Sequence, residues 1–151
     1  MKIMKMLLPL TFLLISAPSF ATNASLTKTA TPSVIVVTTG GGVGLATFFT
    51  SSADFPGTLL TKTKTLLGID WQTTLYPNNP NETVQLCYFL PYTGNPVGCV
   101  PITKNSSGTV SNFNNQVFGL GTEVTIRHTV TGGPAPAIPS SHDTVTFRYS
   151  Y

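Results

Sequence analysis

Cys87 and Cys99 are the residues whose spacing predicts a covalent bond. They flank residues 91–96, where two prolines, a glycine and an asparagine favour reversal of the chain. The arm before this turn, residues 84–90, alternates in the pattern of a half-buried strand. Folding the two arms about Thr93 brings the cysteines opposite each other. We therefore predict a disulfide across a hairpin.

Side chains that could catalyse a reaction are few and scattered. The five carboxylates never form a close pair, and neither Gly-x-Ser-x-Gly nor His-Glu-x-x-His occurs. His142 and Asp143 follow Ser140 and Ser141, and this Ser/His/Asp group leaves a small secreted hydrolase open as a third hypothesis. Neighbouring residues of an extended chain point to opposite sides, however, and such residues are common in polar loops. We assign no catalytic residue.

Two further motifs could bind a metal ion or a cofactor. His128 shares one face of the predicted strand 122–131 with apolar residues, which is typical of a histidine in a core or at its rim. Residues 40–47 are glycine-rich and follow a predicted strand, as a dinucleotide-binding loop would. The third glycine of that motif is replaced by Thr47 and no amphipathic helix follows. The sequence therefore predicts no metal site and no cofactor.

The first 21 residues have the layout of a secretory signal peptide. A basic start precedes an apolar run at residues 6–15, and Ser19 and Ala21 place small residues at the −3 and −1 positions of a cleavage site. The run is too short to span a bilayer. We predict cleavage after Ala21 and a secreted protein of bacterial type, located in the periplasm, at the cell surface or outside the cell. Oxidation of both cysteines is expected in those compartments.

The charge balance argues against nucleic acid as a partner. Lys and Arg number 8 and Asp and Glu number 5 in the whole chain, so loss of Lys2 and Lys5 with the signal leaves 8 − 2 = 6 basic residues. Such a nearly neutral chain has no basic patch. We predict a protein or glycan partner and no transmembrane helix. Tyr76 and Tyr92, which lie beside turn prolines, are the candidates for an exposed ligand surface.

The remaining pattern predicts an all-β protein. Threonine, valine and aromatic residues are abundant and favour sheet over helix. Residues 22–33 are polar and predict a flexible lead. Residues 34–151 predict one antiparallel β-sandwich of immunoglobulin-like architecture with about eight short strands. Besides the hairpin arms, the predicted strands cover residues 33–39, 43–50, 58–67, 69–75, 122–131 and 144–151, with an irregular one at 109–118.

Two predictions concern the arrangement of these strands. Lys62 and Lys64 predict that residues 58–67 form an exposed strand, because lysines discourage unwanted pairing at a sheet edge. Residues 122–131 and 144–151 both alternate cleanly and are joined by a loop rich in proline and glycine. We predict that these two strands pair antiparallel, since strands close in sequence are often neighbours.

The C-terminal strand carries two resemblances. Aromatic residues at alternate positions up to Tyr151 resemble the last strand of chaperone–usher pilin subunits, which implies an immunoglobulin-like fold and assembly into a surface fibre. Ser150 stands where that family has a tyrosine, and residues 22–33 lack the apolar alternation of a donor strand. The same ending is similar to the assembly signal of outer-membrane proteins, although these strands are short and their turns are rich in proline. No functional residue is transferred from either family.

The leading hypothesis is a secreted, non-enzymatic β-sandwich that binds another molecule through its strands and loops. The second hypothesis is a subunit of a surface fibre or of an outer-membrane assembly. The two differ in whether the native protein is a defined monomer or part of a larger assembly, and the sequence leaves the oligomeric state open.

Overall fold

The structure, a computed structural model, describes residues 21–151. The predicted signal peptide therefore lies outside the described residues, except for Ala21. The described part of the chain forms nine strands and two short 3-10 turns, Ser52–Asp54 and Gly57–Leu59. The strands are β1 (Asn23–Ala30), β2 (Gly42–Phe49), β3 (Lys64–Gln72), β4 (Glu82–Phe89), β5 (Gly98–Ile102), β6 (Ser107–Val110), β7 (Val117–Phe118), β8 (Glu123–Val130) and β9 (Asp143–Ser150).

The strands form two antiparallel sheets in a sandwich-like arrangement. The first sheet has the order β1-β9-β3-β6, and β7 also pairs with β3. The second sheet has the order β2-β8-β4-β5. Alternate residues of each strand point between the sheets, as the two-residue period of a strand requires. The all-β sandwich predicted from the sequence is confirmed.

The inward faces of the two sheets form the main core. Its most completely buried members are aromatic and aliphatic side chains from both sheets, including Phe48, Leu66, Ile69, Leu86, Tyr88, Ile126 and Phe147. A second, smaller cluster contains Ile35, Tyr76, Val130 and Ala137. The main core holds the sheets together, and the smaller cluster adjoins the buried charges described below.

Residues 22–33 do not form the flexible lead that the sequence predicts. Asn23–Ala30 is β1, and it pairs with β9 along its whole length, from Asn23 opposite Ser150 to Ala30 opposite Asp143. Two outward threonines of β1 also form hydroxyl hydrogen bonds with threonines of β9. Apart from Leu26, the side chains of β1 are small or polar. The apolar alternation that identifies a strand is therefore weak in this segment.

Residues 33–39 do not form the strand buried on both faces that the sequence predicts. Ile35 is buried and forms an isolated bridge with Ala137, whereas Val34 and Val36 are exposed. A continuous apolar run is buried on both faces only where other elements cover both sides. Here the segment packs against the inward side of β2 at Gly42 and Gly44, and its other face is left uncovered, so that Val34 and Val36 are exposed.

Residues 58–67 also differ from the prediction of an exposed strand. The strand begins only at Lys64, which is buried. Lys64 Nζ donates to the carbonyl oxygens of Lys62 (2.9 Å) and Leu59, and it lies 4.8 Å from the centroid of the Phe55 ring. Burial lowers the pKa of Lys64. Lys64 therefore stabilises the turn that precedes β3. The prediction that it protects an exposed sheet edge is wrong.

β8 and β9 do not pair, contrary to the prediction from their alternation. β9 lies between β1 and β3 in the first sheet, whereas β8 lies between β2 and β4 in the second. The proline-rich loop between them carries the chain from one sheet to the other. Alternation identifies the face on which each side chain lies, but it does not identify the neighbouring strand.

Candidate functional site

A histidine between two carboxylates is the main concentration of charge inside the sandwich. His128 Nδ1 lies 2.7 Å from Glu82 Oε1, and His128 Nε2 lies 2.8 Å from Asp143 Oδ2. All three side chains are fully buried. Glu82 begins β4 and His128 lies on β8 in the second sheet, whereas Asp143 begins β9 in the first. The cluster therefore ties the two sheets together.

Two flanking carboxylates favour the imidazolium form of His128. A carboxylate oxygen accepts, so both ring nitrogens must donate. Burial lowers the pKa of His128, but the hydrogen bonds to Asp143 and Glu82 and their negative charges outweigh burial and raise this pKa to about 9. The other carboxylate oxygens accept from backbone N–H groups: Thr74 donates to Asp143 Oδ1 (2.7 Å) and Tyr76 donates to Glu82 Oε2 (3.1 Å). Each buried carboxylate is thus hydrogen-bonded on both oxygens.

Tyr76 covers the cluster on the side of β2. Its ring lies edge-on to that of His128, with centroids 5.5 Å apart, and its hydroxyl donates to Ser33 O (2.5 Å). Burial and the charges of Asp143 and Glu82 raise the pKa of the Tyr76 hydroxyl well above its ordinary value. Tyr76 is only 1% exposed. It therefore takes no part in the exposed ligand surface predicted for it, because its side chain turns inward to join the histidine to residue 33.

The cluster of His128, Glu82 and Asp143 is suited to a structural role. Both nitrogens of the imidazolium are occupied, so no lone pair is available to a metal ion, and full burial excludes a substrate. Within residues 21–151 no group of three or more His, Cys, Asp and Glu residues is arranged to hold a metal ion. The Ser/His/Asp group is not assembled either: Asp143 faces His128, whereas His142 is exposed, with its Nδ1 3.4 Å from Ser141 Oγ.

Sequence reasoning missed Glu82 and Asp143, although a signal for them was present. Glu82 lies in phase with Val84 on the inward face of β4, and Asp143 lies in phase with Val145 on β9. His128 is likewise in phase with the apolar face of β8. A charged side chain at such a position is buried only if it is paired. One histidine and two carboxylates at inward-facing positions therefore predict that these three residues pair with one another.

The predicted disulfide is confirmed. Cys87 on β4 lies directly opposite Cys99 on β5, and their Sγ atoms are 2.02 Å apart. A disulfide is compatible with a secreted or periplasmic protein. Among residues 21–151 no helix has the length and apolar character needed to cross a membrane.

Tyr92, the other residue of the predicted ligand surface, is 74% exposed. It lies in the turn of the cysteine hairpin with a φ of 59°, in the left-handed region that tyrosine seldom adopts. Its N–H donates to Gly121 O (3.0 Å), and its ring packs so closely on Gly121 that a Cβ there would overlap it. A ligand role for Tyr92 stays a prediction.

Six of the ten large apolar side chains that are exposed in the described chain lie on β2 or beside it. Three of them point outward from β2, and three belong to the two segments joined by the Ile35–Ala137 bridge, of which the first packs against the inward side of β2 at Gly42 and Gly44. We call these six residues the β2 surface: Val34, Val36, Val43, Leu45, Phe49 and Ile138. Val43, Leu45 and Phe49 share the outward face of β2, and exposed apolar side chains grouped in this way can mark a binding site.

The β2 surface is almost free of charge. No Asp, Glu, Lys or Arg occurs in residues 29–53. The nearest charges on the same face belong to the neighbouring strand β8, where Arg127 lies opposite Leu45 and Glu123 lies opposite Phe49.

β2 is also an edge of the second sheet, and part of that edge is open. The backbone groups of Leu45 point away from β8 and are used: Ser33 N–H donates to Leu45 O (3.1 Å), and Leu45 N–H donates to Ser33 Oγ (3.2 Å). Thr47 and Phe49 point the same way. Their N–H and C=O groups form no hydrogen bond with any residue of the described range. Edge strands are usually protected by charge or by a covering element. The Lys28–Asp54 ion pair (2.7 Å) lies just past the end of β2 and β1 runs close to it, but no described strand pairs with Thr47 or Phe49.

Comparison with known proteins shows a likeness of fold alone. No family model matches the sequence, and no curated protein matches it. The crystal structure of FlhE is similar with a TM-score of 0.59 at 15% identity, over 84% of this chain and 96% of that one. Chains from Desmodium yellow mottle tymovirus and from the Gx strain of infectious bursal disease virus give TM-scores of 0.41 and 0.38 at 12% and 10% identity. The tymovirus match covers 93% of this chain and 92% of the viral chain. The match to infectious bursal disease virus covers 87% of this chain and 32% of the viral chain. These two viral likenesses carry no argument, and the likeness to FlhE supports the β-rich fold.

Proposed function

We propose that the protein is an exported, non-enzymatic module that binds another polypeptide through the β2 surface. The observation that carries the proposal is the conjunction of exposed apolar side chains on the outward face of β2 with edge backbone groups, at Thr47 and Phe49, that have no partner in the described range. Exposed apolar area and unpaired backbone groups both favour association with another chain. The predicted signal peptide and the disulfide support a location outside the cytosol, in the periplasm, at the surface or outside a bacterial cell.

The other hypotheses have less support. A hydrolase would need a reachable catalytic group, and Asp143 is buried against His128. A fibre subunit of the pilin type would use its N-terminal segment to pair with a neighbour, whereas β1 pairs along its length with its own β9. A glycan would find few hydrogen-bonding side chains on the β2 surface, so we favour a polypeptide as the partner.

Photo-crosslinking in the producing cell tests this proposal. A benzophenone amino acid is placed at Leu45, which lies on the β2 surface, and in a control variant at Ser107, which is exposed on the edge strand β6 of the other sheet. We expect the variant at Leu45 to yield a discrete protein adduct and the control to yield none. Equal labelling from both positions, or no adduct from Leu45, would contradict the proposal. Cell fractionation of the same cultures checks the predicted export.

A further inference from the structure

We propose that the outward face of the first sheet binds an acidic oligosaccharide, and that the guanidinium of Arg148 holds a carboxylate of the sugar. The face consists of alternate residues of 25–29 on β1, 144–148 on β9, 68–72 on β3 and 107–109 on β6, which lie opposite one another in the register of the sheet. We call it the hydroxyl face. It lies on the other sheet from the β2 surface, so this site goes beyond the polypeptide binding proposed above and does not depend on it.

The side chains of the hydroxyl face suit a ligand that is bound by hydrogen bonds. Seven of its positions are serine or threonine, and the other four are Gly68, Asp70, Gln72 and Arg148. None of the large apolar side chains that are exposed in residues 21–151 lies on β1, β3, β6 or β9. Interfaces between proteins have a core that is enriched in aromatic side chains and depleted in charge, which this face lacks. A polyhydroxylated ligand, which both donates and accepts, matches its hydroxyl and amide groups better.

Arg148 is held in place and still has donors to spare. Its Nε donates to Asp70 Oδ2 (3.0 Å), and the Thr109 hydroxyl donates to Asp70 Oδ1 (2.7 Å), so both carboxylate oxygens of Asp70 are in use. The guanidinium lies over Gly68, where a Cβ would overlap it. Within the described residues its two Nη groups form no hydrogen bond, and the Arg148 side chain is 44% exposed. A fixed guanidinium with a free pair of N–H groups is the arrangement that binds a carboxylate through two hydrogen bonds.

Two neighbouring hollows indicate a ligand of more than one sugar ring. The first, of about 300 Å³, is bordered by Arg148, Asn23 and Ser25. The second, of about 200 Å³, is bordered on β9 by Thr146 and Thr144. These two threonines lie two and four residues from Arg148, about 7 and 13 Å along an extended strand. A short chain of sugar rings can therefore place a carboxylate at Arg148 in the first hollow and a further ring in the second, whereas a single small anion would fill only one of them.

NMR titration of the isotopically labelled exported protein with a trimer of galacturonate tests the inference. The signals that shift and saturate should be those of the hydroxyl face, with the Arg148 Nε–H among them. A neutral galactose trimer of the same length should bind about tenfold more weakly or less, because it lacks the carboxylate that Arg148 would hold. A peptide of three glutamates carries similar charge without the sugar hydroxyls and should also bind about tenfold more weakly or less. The mapping uses the wild-type protein, so it does not depend on the folding of any variant.

Two arginine variants test the role of Arg148. Arg148→Gln should lose about tenfold or more of the affinity for the galacturonate trimer. Arg127→Gln is the matched control, because Arg127 is exposed on β8 in the other sheet, and its affinity should equal that of the wild type. No saturable shift with the acidic trimer, shifts centred on the second sheet, or an unchanged affinity in Arg148→Gln would overturn the inference. Equal binding of the glutamate peptide would overturn the oligosaccharide as the ligand. None of these results bears on crosslinking from Leu45, which lies on the other sheet.

Discussion

Raising the pH above neutrality should destabilise the fold, because His128 loses a proton that the folded state holds more tightly than the unfolded chain does. The pKa of His128 is about 9 in the fold, against 6.5 for an ordinary histidine. The contribution of this imidazolium to stability is therefore fully present below pH 6.5. It declines between pH 6.5 and pH 9, and it is lost above pH 9.

The magnitude follows from the difference in pKa between the two states. Each pH unit inside this window removes about 1.4 kcal/mol, because one proton is bound in the fold and none in the unfolded chain. The whole window is therefore worth about 3 kcal/mol, a large share of the stability of a typical domain. Above pH 10, titration of the buried tyrosines adds to the effect, since burial raises the pKa values of Tyr88 and Tyr149. The measurement should therefore stay below pH 9.

Guanidinium unfolding between pH 6.5 and pH 8.5 measures the effect. The free energy of unfolding should fall steadily in the wild type and in His142→Gln, the control in which an exposed histidine is removed. In His128→Gln the protein should be less stable and its stability should be flat over this range. NMR of the wild-type imidazole nitrogens gives a direct titration of His128, independent of whether the variant folds.

A free energy of unfolding that does not change between pH 6.5 and pH 8.5 would refute this reasoning. A slope that disappears in His142→Gln and survives in His128→Gln would refute it as well. The first result would mean that the cluster of His128, Glu82 and Asp143 holds no more protons in the fold than in the unfolded chain, and the second that the slope has another source.

Three further predictions concern the framework. Replacing both cysteines by serine should lower the free energy of unfolding by roughly 3 kcal/mol or less without abolishing the fold. The intact mass of the wild-type protein should show the loss of two hydrogens. Two thiols that are alkylated without reduction would contradict this prediction. Removing residues 145–151 should abolish cooperative melting, since β9 carries three buried side chains worth at least about 1.5 kcal/mol each and is the partner of two other strands. Gly44→Ala should destabilise by about 1–3 kcal/mol because its Cβ would overlap the Tyr76 hydroxyl, whereas Gly94→Ala, with open space around it, should be neutral in chemical denaturation.

The sequence predicted the features that depend on local pattern. The cysteine hairpin is one, because a turn with suitable φ preferences fixes which residues of its two arms face each other. The class of fold is another, since two-residue alternation recurs along most of the chain. β1 was missed because a strand at the side of a sheet can be held by backbone pairing and threonine hydroxyls, with only Leu26 as a large apolar side chain.

The features that depend on three-dimensional neighbours were not predictable from alternation. β8 and β9 follow each other in the chain yet lie in different sheets, because a sandwich must distribute its strands between two layers. Tyr76 was assigned to the surface from the prolines around it, but the buried charge of His128 and its partners holds the ring inside. The candidate binding surface was missed because Val34 and Val36 lie in an apolar run that resembles a core strand.

The position of β9 between β1 and β3 has a consequence for the order of folding. The two ends of the described chain lie side by side, where Thr22 and Tyr151 exchange two backbone hydrogen bonds. Among the described strands β1 pairs with β9 alone, so it must wait for a segment more than a hundred residues later in the chain. Contacts of such long range make folding slow. In a chain that leaves the ribosome or a translocation channel amino end first, β1 emerges before the other described strands, yet it stays unpaired until β9, the last of them, has emerged.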